Sequence, residues 1–395
     1  MSRLLTVIFG IQFTGWATNG IVLLALPLIL YQNGVSSLEI GSTIALFSVV
    51  AAATAVLFGR LSDRLGRRIM IIVGFLLLSS SSFLLAFDFT VSTAYVAMVM
   101  QGLGIAMFEP STNAAVGDIA KDSHYGRAFG TLGMVSLAGG SMGPVVGGVL
   151  IHGLGFSWTF LASGILFSIV VPVAFIGLRG MTPIQSPIGF NPSSGHLSPR
   201  SFRAPVYVGW SAMLTSFVAW GALRSFFPVY GSTLGYDTIL IGGLFSAMVV
   251  VGSVTRIPVG YLLDRSNRSI PMIMAGLALT GISLAVIGVL TSPITLFVVL
   301  SFVGFSRAVV NLTSNVVIAR GTDKKSRGFA MGLTSTFRNL GSTIGPLLTG
   351  IIIDLHGFVV GFMVVGGLIL SISIATQLIL SLRIRSYENT TTGNN

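Results

Sequence analysis

The stretch Gly59-Arg60-Leu61-Ser62-Asp63-Arg64-Leu65-Gly66-Arg67-Arg68 decides how this chain is read. It packs four arginines and one aspartate into ten residues, in a chain where only 8% of residues are charged. Apolar runs long enough to cross a bilayer flank it on both sides. It therefore reads as a tight, strongly cationic turn between two membrane helices, on the cytoplasmic side. The same chemistry returns 201 residues later as Gly260-Tyr261-Leu262-Leu263-Asp264-Arg265-Ser266-Asn267-Arg268. A motif repeated at a large fixed offset predicts a duplicated domain.

Composition agrees with a membrane setting. Of 395 residues, 53% are hydrophobic and the mean hydropathy is +0.90. A soluble domain carries about 25% charged residues, three times the share found here. The apolar runs extend for about 20 residues without strand-like alternation, which predicts helices rather than a barrel. With no cysteine, the chain has no disulfide, thiolate metal site or cysteine nucleophile. The first apolar stretch, about 5–30, is too long for a signal-peptide core and is expected to be the first span.

Charge and turn residues divide the hydropathy into twelve expected spans, near 5–30, 37–58, 69–87, 92–115, 128–151, 157–178, 205–230, 238–261, 271–290, 293–318, 329–352 and 358–382. The expected organisation is a six-helix bundle over 1–178, a linker over 179–204 rich in Pro, Ser and Gly, a second bundle over 205–382 and a disordered tail over 383–395. Nearly all of the 22 lysines and arginines fall on one side of these spans. The loops after spans 1, 3, 5, 7, 9 and 11 hold none, which predicts that both termini and the linker are cytoplasmic. The net charge of +11 is thus a topology signal and not a nucleic-acid footprint. The duplication extends beyond the arginine turns. Pro27 matches Pro228, Gly34 matches Gly235 and Ile40-Gly41 matches Ile241-Gly242, while at an offset of 202 Gly139, Gly143 and Pro144 match Gly341, Gly345 and Pro346. Six spans repeated in the same orientation predict a pseudo-two-fold axis along the membrane normal.

The turn Gly59 to Arg68 resembles the signature loop between helices two and three of the major facilitator superfamily. Gly139-Gly140-Ser141-Met142-Gly143-Pro144-Val145-Val146-Gly147-Gly148 resembles the fifth-helix motif of its twelve-helix, proton-coupled drug antiporters. The resemblance implies alternating access, with two halves rocking about a central site. It assigns gating to Gly59, Asp63, Arg64, Gly66 and Arg67, to their counterparts Asp264 and Arg265, and to Gly143 and Pro144. Gly59 and Gly66 permit a tight turn and close helix approach. Asp63 is placed to favour a helix N-terminus of the other half, and Arg67 to pair with Asp63 and Asp118. The chain departs from the family at Met98. The drug-antiporter pattern has an arginine there, three residues before Gln101-Gly102.

Intramembrane charge is the sharpest functional clue, since each such group costs at least about 2.5–3.5 kcal/mol at a helix centre. Glu109 is the only acidic residue well inside an expected span. A lone carboxylate in hydrocarbon suits a proton carrier, because protonation removes a charge that is costly to bury. Arg307, Asn311 and Asn315 form an i, i+4, i+8 stripe on span ten, Arg338 lies about nine residues into span eleven, and Arg224 is nearer the outer end of span seven. Trp16 and Asn19 share a face of span one. The expected cavity therefore includes Trp16, Asn19, Asn113, Arg224, Arg307, Asn311 and Arg338.

The expected function is secondary active transport, with proton-linked efflux of a small organic solute or drug, by a monomer in the cell membrane. An organic-anion carrier built on the buried arginines is the alternative. A non-transporting membrane sensor on the same fold is the reading from another class. No enzyme, metal or cofactor is expected, because His124, His152, His196 and His356 are scattered and no paired carboxylates occur in the spans.

Overall fold

In hydrocarbon every backbone N–H and C=O must pair within its own segment, so apolar runs of this length become helices. The computed structural model describes residues 3–120, 125–179, 204–265, 269–322 and 326–392. Its helices are α1 (Arg3–Gln32), α2 (Ser37–Leu65), α3 (Arg67–Phe87), α4 (Val91–Ile119), α5 (Tyr125–Leu154), α6 (Phe156–Gly177), α7 (Ala204–Thr233), α8 (Thr238–Arg265), α9 (Ser269–Ile287), α10 (Pro293–Arg320) and α11 (Arg327–Thr392). All eleven are long and apolar enough to cross a bilayer. α11 breaks at Gly357 (φ 81°, ψ 173°), so its two halves make separate crossings and the total is twelve, as expected. The helical conformation runs on to Thr392, past residue 382 where the tail was expected to begin. Of the expected linker, only Arg179 and Ala204 fall within the described residues.

Sequence explains where the helices start and turn. Ser36 caps α2 in a reciprocal box with Glu39, and Thr90 caps α4 with Thr93, satisfying orphan N–H groups that hydrocarbon would leave unpaired. The duplication is written into the backbone as well. Gly34 and Gly235 share a left-handed φ (73° and 76°), and so do Gly155 and Gly357 (82° and 81°), at the same offsets as the sequence repeats.

α1 to α6 pack on one another, and α7 to α11 pack on one another. The two bundles join through α2 with α11, α5 with α8 and α1 with α7. These joints concentrate at one end, called here the sealed end. There Asp354 accepts hydrogen bonds from the Ser37 and Leu38 N–H groups at 2.7 and 2.8 Å, capping α2 from the other bundle. The Thr238 hydroxyl donates to the Gly148 carbonyl at 2.8 Å, and His152 Nδ1 lies 3.3 Å from Asp237 Oδ1. The opposite end carries Arg60, Arg64, Arg67 and Arg68 and is the basic end. The contacts of Arg67 and Arg68 there stay within one bundle.

Candidate functional site

Beneath the sealed end, α1, α5, α7 and α8 enclose a chamber of about 230 Å³. Trp16, Leu23, Leu24, Trp220, Pro228 and Phe245 give it an apolar wall, and Asn19, Ser136 and Arg224 supply polar groups. Asn19 is held by the side-chain oxygen of Gln101, to which it donates at 3.3 Å. Thr112 donates to Gln12, and Gln12 in turn donates to Ser136, each at 2.9 Å. The α1 glutamine thereby ties α4 to the chamber wall on α5.

The arginines within the spans are seated on aromatic faces. Arg307 lies 3.8 Å from the centroid of the Trp220 ring and 5.8 Å from that of Phe217. Arg338 lies 4.8 Å from Phe217, and Arg224 lies 5.4 Å from Phe47 in the other bundle. Such contacts are worth roughly 0.5–2 kcal/mol each and engage the flat face of the guanidinium. The in-plane N–H groups are a separate demand. Arg224 Nε and Nη2 and Arg307 Nε are sealed from solvent without a hydrogen-bond partner.

A second cavity of about 300 Å³ lies toward the basic end between α2, α4 and α11, lined by Glu109, Asn113, Ser335, Arg338 and Asn339. Glu109 is ten residues from the end of α4, about 15 Å deep at 1.5 Å per residue. It belongs to one bundle and Arg338 to the other, and Arg338 is the charge that acts on it. Among the described residues Glu109 forms no ion pair.

The structure thus divides the expected cavity in two. Trp16, Asn19 and Arg224 line the chamber, whereas Glu109, Asn113 and Arg338 line the second cavity. Arg307 and Asn311 are on neither wall. Asn311 donates to the Arg307 carbonyl at 2.8 Å and Asn113 to the Glu109 carbonyl at 2.8 Å, so both amides are engaged by their own helices. Arg256 lies nine residues before the end of α8, where its charge acts on Arg307. Ser136, Trp220, Phe245 and Phe217 were not singled out from sequence, since a serine or aromatic on a membrane helix carries no marking of its own.

The arginine turn has a definite geometry. Arg67 is 13% exposed, pairs with Asp63 one turn back, and meets Asp118 through Nε at 3.2 Å. It also donates to Ser62 at 3.3 Å, which accepts from Ser111 at 2.9 Å. These contacts bind α2, α3 and α4 of one bundle. Asp63 is 60% exposed and, among the described residues, its ion pair is with Arg67 of its own bundle, so the expected contact with a helix terminus of the other bundle is not made in this conformation. Gly66 has φ 98°, a conformation favouring glycine, and makes the turn between α2 and α3. Gly59 has open space where a Cβ would stand, so it allows no close helix approach here. Arg64 and Arg265 are exposed, and the side chain of Asp264 lies outside the described residues.

The fifth-helix motif is also redistributed. A Cβ on Gly139 or Gly143 would meet the Phe13 or Ala17 carbonyl of α1, so this face packs inside one bundle and does not seal the two. The seal comes from its neighbours. The Pro144 carbonyl rests against Gly242 of α8, and Gly148 against Thr238. The second copy reproduces this, with the Pro346 carbonyl against Gly41 of α2 and Gly350 against Ser37.

Two six-helix bundles closing at one end around a polar-studded chamber define a transporter-type membrane fold. The family model described as Major Facilitator Superfamily matches residues 8–342 and 274–393. The chain belongs to that superfamily. It is 26% identical over 363 residues to Multidrug resistance protein 1 of Bacillus subtilis (strain 168), covering 89% of this chain and 90% of the relative. It is 26% identical over 377 residues to Quinolone resistance protein NorA of Staphylococcus aureus (strain MRSA252), covering 90% and 91%. Among solved structures, a bacterial homologue of the human lysosomal transporter Spinster, inward-facing and unoccupied, superposes with a TM-score of 0.80 at 15% identity, covering 94% of this chain and 95% of that one.

Proposed function

We propose that this chain is a secondary active transporter that exports small drug-like organic solutes by alternating access, coupled to protons and acting as a monomer. Export of drugs is supported by the relatives named for multidrug and quinolone resistance, which match this chain nearly end to end. The basic end is assigned to the cytoplasm, with both termini, by the lysine and arginine asymmetry. The conformation described is then closed to the outside. Bundle boundaries at 1–178 and 205–382, with a cytoplasmic linker between, complete this reading.

Proton coupling rests on one observation. Glu109 lines a cavity between the bundles with Arg338 of the other bundle as its charged neighbour. Ionised, it would attract Arg338 and favour approach of the bundles at the basic end; protonated, it would lose that attraction. This gives a proton leverage over bundle position even though Met98 replaces the family arginine. A Glu109→Gln variant in inverted vesicles is expected to lose acceleration of uptake by a pH gradient while keeping substrate binding. Gradient-driven uptake at the wild-type rate would sink the assignment.

A further inference from the structure

We propose that the chamber between α1, α5, α7 and α8 binds the carboxylate of a small apolar organic acid, with Arg224 as its direct partner; this deepens the transport reading by naming a substrate class. The chamber wall holds Arg224 and no acidic residue. Two nitrogens of that guanidinium, Nε and Nη2, are sealed from solvent with no hydrogen-bond partner. A buried donor left unpaired is costly, and more so when charged. Its aromatic neighbour, Phe47 at 5.4 Å, meets the guanidinium as a face contact and leaves the in-plane donors unmatched. A carboxylate accepts two parallel N–H bonds in the guanidinium plane, so it is the ligand group that would satisfy these covered donors once the side chain turns them into the chamber.

The surrounding field has the same sign. Arg307 stands behind Trp220, a chamber wall residue, and its charge adds to those of Arg224, Arg256 and Arg338. Glu109 lines the other cavity beside Arg338 and not the chamber. A cationic solute would enter uncompensated positive charge, whereas an anion neutralises it. The remaining wall, with Trp16, Leu23, Leu24, Trp220 and Phe245, suits an aromatic or aliphatic body. At about 230 Å³ the chamber lies below the 300–1,000 Å³ of most drug-sized pockets, which favours one or two rings.

The test uses the full chain in lipid nanodiscs and three probes of one shape: 2-naphthylacetate, its neutral amide and 2-naphthylethylammonium. Equilibrium binding of the radiolabelled probes is measured by scintillation proximity. The carboxylate is expected to bind at least tenfold more tightly than the amide, and the cation least. Arg224→Gln is expected to remove that preference, with an unchanged thermal midpoint reporting that the variant is folded. Arg224→Lys is expected to restore only part of it, since an ammonium cannot form the bidentate contact. Equal binding of carboxylate and amide to the wild type overturns the proposal, whatever the variants do, and so does an undiminished preference in Arg224→Gln. Proteoliposome flux separates this from the transport reading. An Arg224-dependent carboxylate preference without flux of any probe leaves the site standing and removes the export of these compounds. Gradient-driven flux of the amide with no carboxylate preference does the reverse.

Discussion

Arg67 shows how a single side chain can be read from sequence while its neighbours cannot. Its partners Asp63 and Asp118 follow from charge and from helix ends: Asp63 is one turn back, and Asp118 closes the adjacent span. The two pairs differ in burial. Asp63 is 60% exposed, so its pair contributes less than about 1 kcal/mol, whereas Asp118 is 19% exposed and meets a guanidinium that is largely covered. Asp118→Asn is therefore expected to lower the thermal midpoint of the detergent-solubilised protein clearly more than Asp63→Asn. Equal shifts would place the stabilisation elsewhere. Gly66 makes a second test. At φ 98° and ψ 143° Gly66 sits near a region held almost only by glycine, so Gly66→Ala is expected to destabilise the protein by about 1–3 kcal/mol in the same melting assay. Gly59→Ala, with open space at its Cβ, is expected to change the midpoint little.

Helix ends carry the contacts that hold the bundles together, and most of these were legible only in retrospect. His152 and Asp354 are related by the 202 offset, as Ser36 and Asp237 are by 201, yet the residue types differ between copies. The repeat preserves the location of each joint, not its chemistry. In one copy a carboxylate from the opposite bundle caps a helix; in the other a histidine faces an aspartate that accepts from the Ile239 N–H of its own helix. The glycine-rich face of α5 misled for a related reason. Its spacing shows that something packs closely, but α1 and the opposite bundle satisfy the same spacing. Asp354 gives an element-level prediction. Losing an N-cap costs about 1 kcal/mol, close to a fivefold shift in a two-state equilibrium. Because the chain has no native cysteine, Ser136→Cys in the chamber provides a single thiol that reports access. Asp354→Ala is expected to raise its labelling by an impermeant maleimide from outside several-fold. Unchanged labelling would show that the cap does not bias the gate.

At the scale of the whole molecule, the fold was readable because hydropathy, charge asymmetry and repetition report one architecture independently. Twelve crossings and two bundles needed no tertiary information. The division of the polar residues into two cavities did, because it depends on which helix faces meet across the pseudo-symmetry axis. That division also shows what must move. The bundles are joined at the sealed end by Asp354 on α2, by Thr238 with Gly148, and by His152 with Asp237. Rocking therefore has to break the sealed-end joints while new ones form around Glu109 and Arg338. Tying α5 to α8 should arrest this motion without touching either cavity. In a His152→Cys, Asp237→Cys protein, a short bifunctional thiosulfonate reagent is expected to abolish flux in proteoliposomes, and a reducing agent to restore it. Each single-cysteine protein treated identically should keep its activity, since one thiol cannot link α5 to α8. Binding from the basic end should survive cross-linking, because the chamber is already formed with this joint closed. Sustained turnover by protein shown to be fully cross-linked would mean that the bundles do not separate at α5 and α8, and a rocking mechanism about this axis would fail.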